Sequence, residues 1–248
     1  MQADIWTEQV RVRAADVTPR GTASVPALVA HFQEAAGRHA AALGVSMRDL
    51  LAEDRAWVLA RFRMEVDRFP RWEDRIEIET WPSGLDRVFA TREFVVRDAE
   101  GAALARGTSA WLVIDSERRR PVRPPAALHD LEPPDRPAPL SAPETDLTAP
   151  ARCDRERTFT VRYHDLDLNR HVNNVRYLEW ALETLPPAVL GERRCTAVAL
   201  QFEAETTLGD RVRATAELRD EDDGLRVRHR LAHAGSDRTL ALATTTWA

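Results

Sequence analysis

The sequence predicts an α+β protein built twice from one plan, a helix followed by antiparallel strands. Three observations carry this expectation. In each half of the 248 residues, apolar residues at helical spacing give way to stretches that alternate every two residues. Nine of the 15 prolines fall between Pro121 and Pro150, in a segment that cannot sustain helix or central strand. Short residue echoes recur in the same order on either side of it. The expected domains are 1–115 and 155–248, joined by a proline-rich linker at 116–154.

The first half opens on a strand-like stretch near 10–13. Ser24 precedes Pro26 and reads as an N-cap with proline in the first turn. Leu28, Phe32, Ala36, Ala40 and Leu43 follow at near-helical spacing, and Gly44 is the stop signal. The period then changes to two. Ala60, Phe62, Met64 and Val66 alternate with Arg61, Arg63, Glu65 and Asp67, as Ile76 and Ile78 do with Glu77 and Glu79. Runs at 88–97 and 103–114 flank Asp98-Ala99-Glu100-Gly101 and read as a hairpin.

The second half repeats the order. A strand at 158–163 precedes a polar motif, then a helix at 174–185 stopped by Pro186-Pro187. Strands follow at 197–205, 211–219, 225–231 and 239–246, with Gly224 and Gly235 in the turns. Three echoes support a duplication. Phe62…Glu65 resembles Phe202…Glu205, Asp74-Arg75-Ile76 resembles Asp210-Arg211-Val212, and Asp16-Val17-Thr18 lines up with Asp167-Leu168-Asn169. On this register the first half has no histidine to match His171. One helix wrapped by a sheet, twice, is the architecture these patterns imply.

The polar motif is the most informative stretch. Asp167, Asn169 and His171 stand two apart, so an extended backbone would project an acid, an amide and an imidazole from one face. They precede a helix N-terminus whose free N–H groups, around 172–174, suit a developing negative charge. Asn173 or Asn174 reads as the helix N-cap.

Composition narrows the function classes. A formal charge of −5 with pI near 5.9 argues against nucleic-acid binding. All 35 basic residues are arginine. The runs Arg118-Arg119-Arg120 and Arg193-Arg194 read first as solvated faces, and alternatively as contacts for an acidic partner. Cys153 and Cys195 are the only cysteines and form no CxxC pair, so neither a disulfide framework nor a zinc site is indicated. No signal peptide or membrane span is expected, which leaves the cytoplasm as the default. Trp57, Trp72, Trp81 and Trp111 read as core residues, or as the lining of an apolar channel.

The segment from His164 to Tyr177, with Asp167-Leu168-Asn169-Arg170-His171-Val172-Asn173-Asn174 at its centre, resembles the second-domain motif of acyl-acyl-carrier-protein (acyl-ACP) thioesterases. The first half is similar to that family in Gln33-Glu34-Ala35-Ala36, Ala56-Trp57-Val58-Leu59, Trp81-Pro82-Ser83-Gly84 and Ser109-Ala110-Trp111. The resemblance implies two tandem hotdog domains, pseudo-dimeric, with the acyl chain held mainly in the N-terminal half. It also implies hydrolysis of acyl-ACP to free fatty acid and ACP, with ACP as partner and no cofactor. A homodimer is a further option.

Carried over by position, the family's catalytic groups fall on Asp167, Asn169, His171 and Glu205. Glu205 and His171 are both candidates for the base, Asn169 for holding the carbonyl or the water, and Asp167 for orienting its neighbours. Alternation alone would leave Glu205 in solvent, beside Gln201 and Glu203, unless a bulge re-aims it. Plant members have a cysteine directly after that glutamate, where this chain has Thr206, which favours attack by water. The competing readings are an acyl-CoA thioesterase or dehydratase of related fold, and a non-catalytic acyl-binding module.

Overall fold

The computed structural model describes residues 3–86 and 88–248. It divides into two compact units, Met1–Pro143 and Glu144–Ala248. In the first, strand β1 (Trp6–Arg11) leads through a 3-10 turn (Ala14–Asp16) to helix α1 (Val25–Ala42) and a short helix α2 (Met47–Leu51). Strands β2 (Arg55–Val66), β3 (Arg75–Asp86), β4 (Phe89–Arg97) and β5 (Ala103–Asp115) follow. Among the described residues they pair in the order β1-β3-β4-β5-β2, antiparallel throughout.

A four-residue helix α3 (Ala126–His129) lies in the proline-rich segment. The second unit has β6 (Arg155–Thr160), a 3-10 turn (Tyr163–Asp165), α4 (Asn174–Leu182) and α5 (Pro187–Glu192). It continues with β7 (Cys195–Phe202), β8 (Arg211–Glu221), β9 (Gly224–His233) and β10 (Thr239–Trp247), which pair in the order β6-β8-β9-β10-β7. Renumbered from one, this is the order of the first unit, so the two halves share one topology.

Each helix is set by its caps and by the face it buries. Ser24 Oγ accepts from the Ala27 N–H, and Gly44 takes the left-handed conformation (φ 70°) that ends α1. Phe32 of α1 stacks on Phe94 at 4.6 Å and meets Phe62 at 6.2 Å. The sheet makes room for that ring at Gly107, where a Cβ would stand 2.6 Å from Phe32 Cε2. Tyr177 and Trp180 of α4 pack on Val212, Ala214, Leu231 and Ala241. Asn173 Oδ1 accepts from Val175 N–H at 2.9 Å, so Asn173 is the cap.

Several sequence expectations are corrected. Pro186-Pro187 does not only stop a helix. Pro187 starts α5, because the first helical position needs no N–H. Helix α2 was missed, being too short to show a period; its Ser46/Asp49 capping box was the available signal. The segment read as an extended linker is instead shared between the units. Arg136 lies over the Trp81 ring at 4.1 Å and bonds Glu79, while Leu147 N–H reaches Gln201 and Ala151 N–H reaches Glu217. Of the four tryptophans read as core or channel, Trp81 is buried and Trp72 is 56% exposed.

The internal register also differs. In the first unit Thr18 N–H donates to Thr22 O and Ser24 N–H to Asp16 O; in the second, Asp167 N–H donates to His171 O and Asn173 N–H to Asp165 O. Asp16 therefore corresponds to Asp165, not Asp167. Both are buried and both are capped by an arginine three residues earlier, Arg13 or Arg162. Likewise Asp67 and Arg68 N–H both donate to Leu104 O, as Glu203 and Ala204 do to Leu240 O. This shifts the Phe62…Glu65 echo by four residues and sets Phe69 opposite Glu205. The Asp74/Asp210 echo stands, since Val12 N–H and Val161 N–H donate to those two carbonyls.

Candidate active site

The segment 165–173 is a closed turn, not the extended strand that the two-residue spacing suggests. Asp167 N–H donates to His171 O at 2.8 Å, Arg170 N–H to Asp167 O at 3.1 Å, and Arg170 takes a left-handed conformation (φ 61°). The first unit has Gly21 (φ 71°) at this point. Asp167 Oδ1 accepts from the backbone N–H of Asn169 at 2.8 Å and of His171 at 3.3 Å. Such a side-chain-to-backbone turn is what a short carboxylate favours. Asn169 enters this network through its N–H, with its side chain partly buried.

Glu205 reaches the turn from the other side of the sequence. Strand β7 ends at Phe202, and the convergence of Glu203 and Ala204 N–H groups on Leu240 O breaks the alternation as a bulge does. Glu205 Oε2 then lies 3.4 Å from His171 Nε2, with both side chains partly exposed. The next residue fixes the approach, because Val172 N–H donates to Thr206 O at 3.1 Å. Arg238 Nη2 donates to Glu205 O at 3.2 Å. Thr206 is buried and its hydroxyl donates to Asp210 Oδ2 at 2.8 Å. Asp167, Asn169 and His171 thus share one turn, and His171 meets Glu205. Thr206 and Asp210 entered the sequence reading only as a departure and an echo, and Arg238, which bonds Glu205 O, carries no local sequence signal.

Asp165, directly before the turn, is 1% exposed at its side chain. Burial alone would raise its pKa, but bonds from the Arg162 side chain and backbone outweigh this and hold it below the usual carboxylate range. Tyr177 of α4 is buried in the core of this unit. Burial pushes its hydroxyl above the ordinary phenol range, so it stays protonated. The N–H groups of Val172 and Asn173, considered above for an oxyanion, are already engaged by Thr206 O and Asp165 O. Asn174 N–H is the one of the three left without an acceptor among the described residues.

Family models describe this chain in two parts. The acyl-ACP thioesterase N-terminal domain matches residues 3–130, and the acyl-ACP thioesterase C-terminal domain matches residues 148–248. The chain belongs to the acyl-ACP thioesterase family.

A crystal structure of an acyl-ACP thioesterase from Bacteroides thetaiotaomicron VPI-5482 superposes with a TM-score of 0.88 at 24% identity, covering 98% of each chain. It establishes the tandem hotdog α+β fold. The 12:0-ACP thioesterase from Umbellularia californica superposes with a TM-score of 0.86 at 26% identity, covering 98% of this chain and 94% of that one. The chloroplastic palmitoyl-acyl carrier protein thioesterase of Cuphea hookeriana is 28% identical over 81% of this chain. This chain spans about half of that relative's length, 52%.

Within this acyl-ACP thioesterase fold, neither cysteine adjoins Glu205 in the chain, where Thr206 follows. Cys153 is exposed ahead of β6. Cys195 is buried at the start of β7, where burial pushes its thiol up to about 12. Among the described residues no group of three His, Cys, Asp or Glu side chains could hold a metal ion, and no helix is long and apolar enough to cross a membrane.

Proposed function

We propose that this chain hydrolyses the thioester of acyl-ACP, releasing a free fatty acid and ACP. The observation that carries this reading is the 3.4 Å approach of His171 Nε2 to Glu205 Oε2, made by residues from two separate segments. A water between these groups and the substrate carbonyl would lose its proton to Glu205 while His171 orients it. Attack forms the new C–O bond, the C–S bond breaks, and the thiolate of the carrier arm takes up the proton. We assign the Asn169 amide and the Asn174 N–H as the donors to the transient oxyanion. Thr206 stands where a cysteine nucleophile would have to be, and its hydroxyl is held by Asp210, which supports attack by water.

The first unit lacks the polar set. Thr18, Arg20, Thr22 and Phe69 occupy the positions of Asp167, Asn169, His171 and Glu205, by the backbone register given above. We assign it the acyl-holding role and the second unit the chemistry. The carrier protein is the partner, and the cytoplasm is the expected location.

Purified protein incubated with matched acyl-ACP and acyl-CoA series should release fatty acid faster from ACP. No hydrolysis of any thioester would sink the enzyme reading, and faster release from CoA would replace ACP by CoA. Glu205→Ala and His171→Ala should each lower turnover by at least about a hundredfold, the usual scale of acid–base catalysis. Near-wild-type turnover in Glu205→Ala would remove that residue from the site.

A further inference from the structure

Among the described residues of the first unit, one deep cation has no carboxylate within ion-pair distance. Arg92 of β4 points toward α1, where its Nη1 lies 3.1 Å from His39 Nδ1 and 3.2 Å from Thr80 Oγ1. Thr80 and His39 are both buried. Burial pushes Arg92 down to about 10 and, with the arginine charge adding to it, His39 down to about 4. At neutral pH the guanidinium is charged and the imidazole is not. A neutral imidazole facing a guanidinium accepts at Nδ1, which leaves its proton on Nε2. Among the described residues no carboxylate lies within ion-pair distance of Arg92, whose partners are His39 and Thr80.

The remaining N–H groups of Arg92 also lack protein acceptors, yet they are not sealed in. Nε and Nη2 are absent from the buried atoms without partners, and the side chain keeps part of its surface. A deeply set group with open donors can take an oxygen from water or from a bound molecule. The walls nearby are aromatic and rich in donors. Trp6 stacks on His39 at 5.7 Å and pairs across the strands with Thr80, and its Nε1–H is buried with no acceptor. Trp111 Nε1–H is taken by Ser109 Oγ, which itself bonds Arg92 O. A buried N–H left without an acceptor is costly, and a bound oxygen would relieve it at Trp6 Nε1 while meeting the open donors of Arg92.

We propose that Arg92, with Trp6, His39 and Thr80, receives an acceptor oxygen carried on the acyl chain, so that the preferred substrates are hydroxy- or keto-acyl thioesters. Aromatic walls suit the hydrocarbon, and the guanidinium suits an oxygen set along it. This assignment rests on the acyl-thioester reading.

The test gives the purified full chain dodecanoyl thioesters of whichever carrier it hydrolyses, unsubstituted or with a hydroxyl at successive positions. One position should exceed the unsubstituted chain by at least about tenfold in kcat/KM, the scale of a hydrogen bond to a charged donor. Arg92→Met should bring that ratio to about one, and Arg92→Lys should restore part of it. An unsubstituted chain preferred over every hydroxy derivative would overturn the proposal, even if Arg92→Met does not fold. A ratio unchanged in a folded Arg92→Met would overturn it too. Absence of hydrolysis with every thioester would instead overturn the function on which it rests.

Discussion

At the scale of single residues, the site depends on one carboxylate that need not touch the substrate. Asp167 Oδ1 holds the N–H groups of Asn169 and His171, so it fixes the turn from which the imidazole projects. An asparagine carries the same acceptor oxygen. Asp167→Asn should therefore keep most of kcat/KM, whereas Asp167→Ala should lose at least about tenfold, the two N–H groups being left unmet. Equal losses in both variants would give Asp167 a direct role in the chemistry. His171 was legible in the sequence because it stands in a dense polar motif ahead of a helix. Glu205 was not, because alternation assumes a regular strand. The ladder stops at Phe202, and two successive N–H groups share Leu240 O, which turns Glu205 toward His171 instead of solvent.

Elements were legible where they are long. Helix α1 and the β4–β5 hairpin lie where the periodicity put them, since a buried stripe of four turns and a Gly101 turn (φ 86°) leave strong marks. Short pieces were not, because α2 and α5 have five and six residues, and α2 rests on a capping box and α5 on a proline in its first turn rather than on a stripe. What fixes α1 on its sheet is a missing side chain. Gly107 lets Phe32 lie between Phe62 and Phe94, rings that leave it little room to move. Gly107→Ala should thus destabilise the fold by about 1–3 kcal/mol, the usual cost of overpacking. Urea unfolding measures this, and an unchanged midpoint would show that the ring shifts freely.

For the whole molecule, acid sensitivity follows from two buried histidines. His229 is fully buried with Nε2 3.0 Å from Thr245 Oγ1, and burial lowers it to about 3; His39 falls to about 4. An unfolded histidine titrates near 6.5. Between that pH and the folded values the unfolded chain binds more protons, so stability rises with pH there. It is complete above about 6.5 and is lost as pH falls toward 4. Each histidine contributes a slope of at most about 1.4 kcal/mol per pH unit. The buried Asp16 and Asp165 have pKa values lowered further below 3.8, so their contribution is lost only in stronger acid. His229→Gln should flatten the dependence of unfolding free energy on pH between about 6 and 4.5. A slope unchanged in that variant would mean other groups carry it.

The sequence by itself determined the repeated helix-then-sheet plan, the ends of α1 and the motif around His171. These are set by contacts between near neighbours, which spacing records. Only the tertiary structure decided the register between the repeats, the meeting of His171 with Glu205 and the unanswered charge of Arg92. Each depends on backbone bonds or burial between residues far apart in the chain, and no local pattern encodes which carbonyl an N–H will find.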